Sequence, residues 1–408
     1  MKKLTVLFTS MVIASASFAD TATINVNQKP MPNPVANVSS SSTQAFAAQA
    51  GYTPPPSINV NAAAWVLMSY QTGKILSEKN MQVIRKPASL VKIMTAYVVA
   101  QALQNKSISW DEQVPVTNKA WKTGGSKMFI KPGQKVTVGE LMQGMIVQSG
   151  NDATVALSEF VAGSEGAFVG MMNQTAQQLG MKNTHFENAN GLPAKGQDTT
   201  AFDIALLARA FIHNFPEYYK IYSQKSFTWN GITQSNRNTL LQTNPLVDGM
   251  KTGHTRAAGY NLVTSAHKDG QRVISVVLGT PSAQVRTDDS NKLITYGFRF
   301  FNTVPLYKEG EVIKTLKVAK AETLDQTVGL YITQPIILTV PKGAKDYIHK
   351  DIKLKSELAA PLSKGQVVGT LTLSIGNETL ASVPLAVNES ISKAGFFTQI
   401  QNKVKGWF

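Results

Sequence analysis

Cysteine is absent from the sequence, so no disulfide bond and no thiolate metal site can form. The HExxH pattern of zinc peptidases and the GxSxG pattern around the nucleophile of many serine hydrolases are absent as well. The five histidines are scattered along the chain. We therefore expect neither a metal ion nor another cofactor, and we expect no Ser–His–Asp triad.

Long apolar segments are scarce, and only the N-terminus carries one. Two lysines precede an apolar stretch that ends in Ser17-Phe18-Ala19, a small-x-small cleavage pattern. Residues 1–19 are therefore predicted to be a secretory signal peptide, and no cysteine follows it that could carry a lipid anchor. No later segment is long and apolar enough to span a bilayer.

Acidic residues are few, 25 against 40 basic ones, which gives a formal net charge of +15. Such an excess favours an anionic partner, which is a nucleic acid, a membrane or a cell-wall polymer. Because an exported protein does not meet nucleic acid, we expect a membrane surface or a cell-wall polymer and no nucleic acid.

The length of 408 residues and the hydrophobic content of 43% fit two globular domains. Residues 20–53 are rich in Ser, Ala, Asn and Gln and predict a disordered leader. Residues 54–303 predict an α/β domain in which an antiparallel sheet packs against a helical cluster. Residues 304–388 alternate like short strands between turn signals and predict a small all-β domain, and 389–408 form a tail.

Hydrophobic periodicity places the main elements of the first domain. Helices are predicted near residue 89 onward, at 140–147, 152–161, 168–179, 203–211 and 292–301. Strands are predicted at 62–68, 247–252, 260–266 and 272–278. The first of these helices is apolar on nearly every side, so we expect it to be buried at the centre of the domain.

Ser89 and Lys92 stand at the start of this central helix, after Pro87. Three residues are close to one helical turn, so the two side chains share a face. A hydroxyl beside an amine at a buried helix N-terminus is a candidate activated nucleophile. The pattern is common, however, and the chain carries a second copy at Ser265 and Lys268.

Two further short motifs follow, Ser149-Gly150-Asn151 and, at the predicted end of a strand, Lys251-Thr252-Gly253. Taken singly, the first is explained as a helix N-cap and the second as a polar strand end. The chain again holds a second copy of each, at 57–59 and 122–124, in apparent loops. Order, spacing and context select 149–151 and 251–253.

In this order the three motifs resemble the SxxK, SxN and KTG set of penicillin-binding proteins and serine β-lactamases. Further segments are similar to the low-molecular-mass, type-5 serine D-Ala-D-Ala carboxypeptidases of the peptidase S11 family. These segments are 86–89, 235–238, 249–255, 258–262, 296–301 and the amphipathic C-terminal tail. The resemblance runs from about residue 55 to the C-terminus and implies a β-lactamase/transpeptidase-like domain followed by the all-β domain.

The resemblance implies removal of the terminal D-Ala from peptidoglycan stem peptides through an acyl-enzyme on Ser89, and acylation of Ser89 by β-lactam antibiotics. Lys92 would be the general base and Ser149 the proton relay towards the leaving amine. A lysine can accept a proton only when it is neutral. Burial and the positive charge of Lys251 both lower the pKa of Lys92.

The same resemblance assigns the substrate contacts. Asn151 would hold the substrate amide, and Lys251, Thr252 and Gly253 would line the site of the terminal carboxylate. Arg237 and Arg286 would reinforce that positive field, and the backbone N–H groups of Ser89 and His254 would hold the oxyanion. These assignments concern the residues Ser89, Asn151, Arg237, Lys251, Thr252, Gly253, His254 and Arg286.

Three alternatives stay open. A class A β-lactamase requires a loop glutamate in an E-x-x-L-N pattern, and here the loop reads Glu187-Asn188-Ala189-Asn190-Gly191, so the pattern fails. A DD-endopeptidase that cuts cross-links is compatible with the same site residues. A non-catalytic scaffold that keeps the fold is opposed by the intact motifs.

The last residues, 395–408, place their apolar side chains within about a third of a helical wheel, flanked by a lysine. This pattern predicts a helix that lies in a membrane interface, with docking on the protein's own core as the alternative. Together with the signal peptide and the resemblance, it predicts a peripheral protein on the periplasmic face of the inner membrane. The sequence leaves the oligomeric state and the preferred stem peptide open.

Overall fold

The computed structural model of the protein describes residues 53–323 and 325–395. The predicted signal peptide, nearly all of the predicted leader and residues 396–408 of the predicted membrane helix lie outside the described residues. None of the helices in the described part is long and apolar enough to cross a membrane.

The described elements are numbered here in chain order. The α-helices are α1 Val91–Gln104, α2 Asn118–Lys122, α3 Val138–Val147, α4 Asn151–Ala162, α5 Glu165–Gln178, α6 Ala201–Asn214, α7 Pro216–Tyr219, α8 Leu240–Thr243 and α9 Ala283–Phe300. Short 3-10 helices cover Ala88–Leu90, Lys220–Ser223 and Lys345–Tyr347.

The strands are β1 Ala64–Ser69, β2 Ile75–Lys79, β3 Gln113–Pro115, β4 Lys135–Thr137, β5 Ser226–Trp229, β6 Ile232–Ser235, β7 Val247–Thr255, β8 Gly259–Lys268, β9 Gln271–Thr280, β10 Phe301–Tyr307, β11 Val312–Lys317, β12 Thr327–Ile332, β13 Ile336–Pro341, β14 His349–Leu354, β15 Val367–Ile375 and β16 Glu378–Val387.

The first domain is built on a five-stranded antiparallel sheet with the order β2-β1-β9-β8-β7. Because side chains alternate along a strand, each strand serves two cores. Val66 and Val276 face the helical cluster, whereas Leu67 and Val277 face helix α9. The predicted sheet against a helical cluster is confirmed, and β7 forms one edge of the sheet.

Helix α1 lies at the centre of the helical cluster. All ten residues from Val91 to Ala100 are buried, as expected for a helix that is apolar all round. The predicted helix start differs by two residues: Ser89 lies in the 3-10 helix Ala88–Leu90, and the α-helix begins at Val91. Ala88 has a φ of +50°, so the chain enters the helix through a tight turn.

Two other predicted bounds in this domain are wrong. The 251–253 motif does not end its strand, because β7 continues to Thr255 and stays paired with β8 up to Gly259. Helix α9 starts at Ala283 rather than 292, where the side chain of Ser282 accepts a hydrogen bond from the backbone N–H of Val285. The N-terminal half of α9 is polar and therefore carries no apolar period.

The second domain is all-β, as predicted. It contains a five-stranded sheet with the order β11-β12-β16-β15-β14 and a two-stranded ribbon of β10 and β13. Strand β10 follows α9 without a gap, so the proposed boundary between 303 and 304 falls inside β10. Thr339 on β13 joins the domains, because its Oγ1 lies 2.7 Å from Ser69 Oγ and 3.1 Å from Thr72 Oγ1.

Candidate active site

Ser89 and Lys92 meet as the spacing predicts. Lys92 Nζ donates a hydrogen bond to Ser89 Oγ over 3.1 Å, and a second one to the backbone carbonyl of Asn190. The Lys92 side chain has no exposed surface. Ser89 therefore stands beside an amine that is shielded from water.

The surroundings of Lys92 favour its neutral form. Burial lowers the pKa of Lys92 well below its ordinary value, and the charges of Lys251 and Arg237 lower it further. The carboxylate of Asp152 acts in the opposite direction and raises it. A lysine in this state can accept the proton of Ser89.

Lys251 lies on β7 and is almost fully buried, with 2% of its surface exposed. Burial lowers its pKa to about 7, with further lowering by Arg237 and Arg286. Its Nζ donates to the backbone carbonyl of Thr252 over 3.3 Å, and Thr252 is itself buried. Lys251 thus links the basic side chains of Lys92, Arg237 and Arg286 in one electrostatic cluster.

Two glycines bring backbone segments against the Ser89 turn. A Cβ at Gly253 would stand 3.0 Å from Pro87 O and 3.2 Å from Ser89 N. A Cβ at Gly191, where φ is +85°, would clash with Ala88 O. Strand β7 and the 182–200 loop can therefore approach the nucleophile closely only because these positions lack side chains.

Ser149 and Asn151 lie at the junction of α3 and α4, and both are buried. Ser149 has a φ of +61°. Asn151 is fixed by two hydrogen bonds, from its backbone N to Ser126 O over 2.7 Å and from Nδ2 to Gly124 O over 2.6 Å. Its Oδ1 is buried and has no hydrogen-bond partner among the residues that the structure describes.

The two candidate arginines differ in burial. Arg286 is 7% exposed, and burial lowers its pKa, whereas Arg237 is exposed. The guanidinium of Arg286 lies 6.0 Å from the ring centre of Tyr260. The His254 ring stacks on the same tyrosine, with the two ring centres 4.0 Å apart. His254 is exposed, and its place in the wall of the site stays a prediction.

Sequence reasoning missed three residues that build the site. Asn190 supplies the carbonyl that binds Lys92, and Asp152 acts on Lys92 electrostatically. Asn261 Nδ2 donates to the carbonyls of Lys86 and Pro87 over 3.0 and 3.2 Å, which ties β8 to the Ser89 turn. Asp152 directly follows the SxN motif, but a carbonyl contact such as that of Asn190 leaves no signal in side-chain identity.

The second copies of the motifs differ in position: the 122–124 copy touches the site, because Gly124 O accepts a hydrogen bond from Asn151, whereas the serine of the second SxxK copy is held by another residue. Ser265 is buried in β8, where its Oγ accepts a hydrogen bond from Arg272.

The loop glutamate, Glu187, has its Oε1 3.3 Å from His185 Nε2. Within residues 53–323 and 325–395, no three His, Cys, Asp or Glu side chains cluster as metal ligands would.

Comparison with protein families gives two matches that together cover most of the chain. Residues 47–282 match the family described as D-alanyl-D-alanine carboxypeptidase, peptidase S11. Residues 301–393 match the C-terminal domain of penicillin-binding protein 5.

Individual proteins that are similar in sequence or structure carry the names of the same families. The chain is 44% identical over 376 residues to the D-alanyl-D-alanine carboxypeptidase DacC of Escherichia coli, covering 89% of this chain and 93% of the relative. The structure of penicillin-binding protein 5 from Haemophilus influenzae superposes with a TM-score of 0.77 at 40% identity, covering 83% of this chain and 99% of that one. Penicillin-binding protein D2 from Listeria monocytogenes, in its ampicillin-bound form, gives a TM-score of 0.55 at 33% identity, covering 60% of this chain and 99% of that one.

Proposed function

This chain belongs to the D-alanyl-D-alanine carboxypeptidase family, and we propose that it removes the terminal D-Ala from peptidoglycan pentapeptides through an acyl-enzyme on Ser89. The observation that carries this proposal is the 3.1 Å hydrogen bond from a fully buried Lys92 to Ser89 Oγ. The product is a tetrapeptide that has lost one D-Ala, so the enzyme acts in cell-wall remodelling.

In acylation, neutral Lys92 takes the proton of Ser89 while Oγ attacks the carbonyl carbon of the penultimate D-Ala. The backbone N–H groups of Ser89 and His254 stabilise the oxyanion, since Gly253 allows β7 to lie beside the Ser89 turn. The C–N bond then breaks, and D-Ala leaves with a proton relayed through Ser149. Water hydrolyses the ester and restores Ser89.

The substrate is held by charge and by an open strand edge. Strand β7 is an edge of its sheet, so an extended peptide can add to it through backbone hydrogen bonds. The terminal carboxylate binds Lys251 and Thr252 within the field of Arg237 and Arg286. Asn151 Oδ1, buried and without a hydrogen-bond partner, accepts a substrate amide N–H.

We infer that β-lactams acylate the same serine, because their strained amide and carboxylate present the groups that this site binds. The ampicillin-bound form of the Listeria relative supports this inference. A β-lactamase would need a loop glutamate that activates the deacylating water. Glu187 instead contacts His185, so its position does not support a β-lactamase.

The test is labelling with fluorescent penicillin together with D-Ala release from a pentapeptide ending in D-Ala-D-Ala. The wild type should be labelled and release D-Ala, and Ser89→Ala should do neither. Ser265→Ala is the matched control, because it removes the serine of the second SxxK copy, and it should behave like the wild type. Absence of labelling overturns the acyl-enzyme, and cleavage of cross-linked muropeptides without D-Ala release would instead identify an endopeptidase.

We further propose that the mature protein is exported and binds the periplasmic face of the inner membrane through residues 395–408. The amphipathic pattern of this segment supports the proposal. A chain truncated before Gly395 should move from the membrane fraction to the soluble fraction and keep its penicillin labelling. Unchanged membrane binding of the truncated chain would overturn the proposal.

A further inference from the structure

Asp152 is a buried carboxylate next to the site, and the mechanism above gives it no role. It has no exposed surface and directly follows Asn151 at the start of α4. Three consecutive backbone N–H groups donate to it: Met128 over 2.8 Å, Phe129 over 2.8 Å and Ile130 over 3.3 Å. Its own helix adds a fourth donor, the N–H of Ala153 at 2.9 Å.

The loop that Asp152 binds is the one that fixes Asn151. Gly124 O and Ser126 O, which accept from Asn151, lie within six residues of the three amides held by Asp152. One backbone angle of the loop needs support, because Phe129 has a φ of +70°, which is unfavourable for a residue with a side chain. Without the carboxylate, the three N–H groups would lose this acceptor, and those of Met128 and Ile130 are buried.

Asp152 also acts on the general base. Lys92 is approached by Lys251 from β7, by Arg237 after β6 and by Asp152 from α4, and its neutral contacts are Ser89 Oγ and Asn190 O. Asp152 is the negative charge in this set. It is not among the charges that shift the pKa of Lys251, which are Arg237 and Arg286.

We propose that Asp152 is a positioning residue with two functions: it holds Asn151 through the loop at 124–130, and it offsets the cations around Lys92. The proposal rests on the acyl-enzyme proposed above. The two functions are separable, because the first depends on the geometry of the carboxylate and the second on its charge.

The experiment measures the second-order rate constant for acylation of the full-length protein by fluorescent penicillin between pH 5 and 10. Asp152→Asn removes the charge and an acceptor oxygen, so the plateau rate should fall about tenfold or more through misplacement of Asn151. The acid limb should move to lower pH, because Lys92 loses the charge that raises its pKa. Asp152→Glu keeps the charge but displaces the oxygens, so its plateau should fall while its acid limb stays at the wild-type pH.

Asp289→Asn is the matched control, since Asp289 is also fully buried and accepts a backbone N–H, that of Asn61 at 2.8 Å. This variant should lose thermal stability and keep the wild-type pH profile. An unchanged plateau in Asp152→Glu, which is informative even when Asp152→Asn fails to fold, overturns the positioning function. A reduced plateau without a shifted acid limb in Asp152→Asn overturns the electrostatic function. If the wild type is not labelled at all, the acyl-enzyme itself fails, which is a distinct result.

Discussion

The two domains differ in what they bury. Among residues 53–300, the buried side chains include seven that carry or can carry charge: Lys92, Asp152, Asp203, Arg209, Lys251, Arg286 and Asp289. Among residues 301–323 and 325–395, the single buried polar side chain is that of Thr339, and the rest of the core is apolar. Because burying a charge is costly unless it is paired, the buried basic side chains of the candidate site, Lys92, Lys251 and Arg286, should cost stability that the apolar core of the second domain does not.

The largest effect is expected at Lys92, a buried basic residue of the kind that distinguishes the first domain from the second. Lys92→Ala should reduce the acylation rate by about 10²–10⁴-fold, because Ser89 then has no general base. Lys268→Ala, which changes the exposed lysine of the second copy of the motif, should leave the rate unchanged. Both are measured with fluorescent penicillin at pH 8. Equal rates in all three proteins would remove Lys92 from the mechanism.

The close approach of β7 to the nucleophile is tested at Gly253. Gly253→Ala places a Cβ 3.0 Å from Pro87 O and 3.2 Å from Ser89 N, so the strand or the Ser89 turn must give by a few tenths of an ångström. A shift of this kind at the oxyanion site should lower the acylation rate by about 10²-fold. Gly170→Ala, in helix α5 with no atom within 4 Å of the new Cβ, should keep full activity. Full activity of Gly253→Ala would show that this contact is dispensable.

The cost of the buried cations should appear in the pH dependence of stability. Lys251 has a pKa of about 7 in the folded protein and an ordinary value of 10.5. Between these values the unfolded state binds more protons, so the free energy of unfolding should rise with pH by up to about 1.4 kcal/mol per pH unit. Below pH 7 this contribution to the slope vanishes.

Urea unfolding at pH 7, 8 and 9 measures this slope, and Lys251→Met should reduce it. The described residues of the second domain, 301–323 and 325–395, include no buried charge that could replace the effect. A slope that is the same in the wild type and in Lys251→Met would mean that Lys251 keeps an ordinary pKa.

The smallest effect is expected at the junction of the domains. Thr339→Val removes a hydroxyl that lies 2.7 Å from Ser69 Oγ and 3.0 Å from Thr303 Oγ1. The variant should lose about 1–2 kcal/mol of stability and keep its acylation rate, because the contact lies away from Ser89. A lower acylation rate at unchanged stability would indicate that the second domain influences the site.

The sequence predicted those parts of the site that depend on local spacing. Ser89 and Lys92 are about one turn apart, and their side chains are in contact. The apolar run that follows them predicted a buried helix, and burial is what lowers the pKa of Lys92 most. The convergence of Lys251 on Lys92, 159 positions away in sequence, followed from family resemblance and not from any periodicity.

Other features could not be predicted because they depend on tertiary contacts. Residues 283–291 are polar, yet Arg286, Asp289 and Ser290 are buried in the first half of α9. The roles of Asp152 and Asn190 depend on backbone N–H and carbonyl groups of distant loops, which residue identity does not reveal.

The proposed mechanism depends on the lowered pKa of Lys92, and this pKa can be measured directly. The protein is labelled with [13Cε]lysine, and each Cε resonance is followed by NMR between pH 5 and 11, with Lys92→Arg used for assignment. We predict one resonance that titrates well below 10.5 and disappears in Lys92→Arg, together with a second near 7 that disappears in Lys251→Met. A Lys92 resonance that titrates near 10.5 would contradict the account.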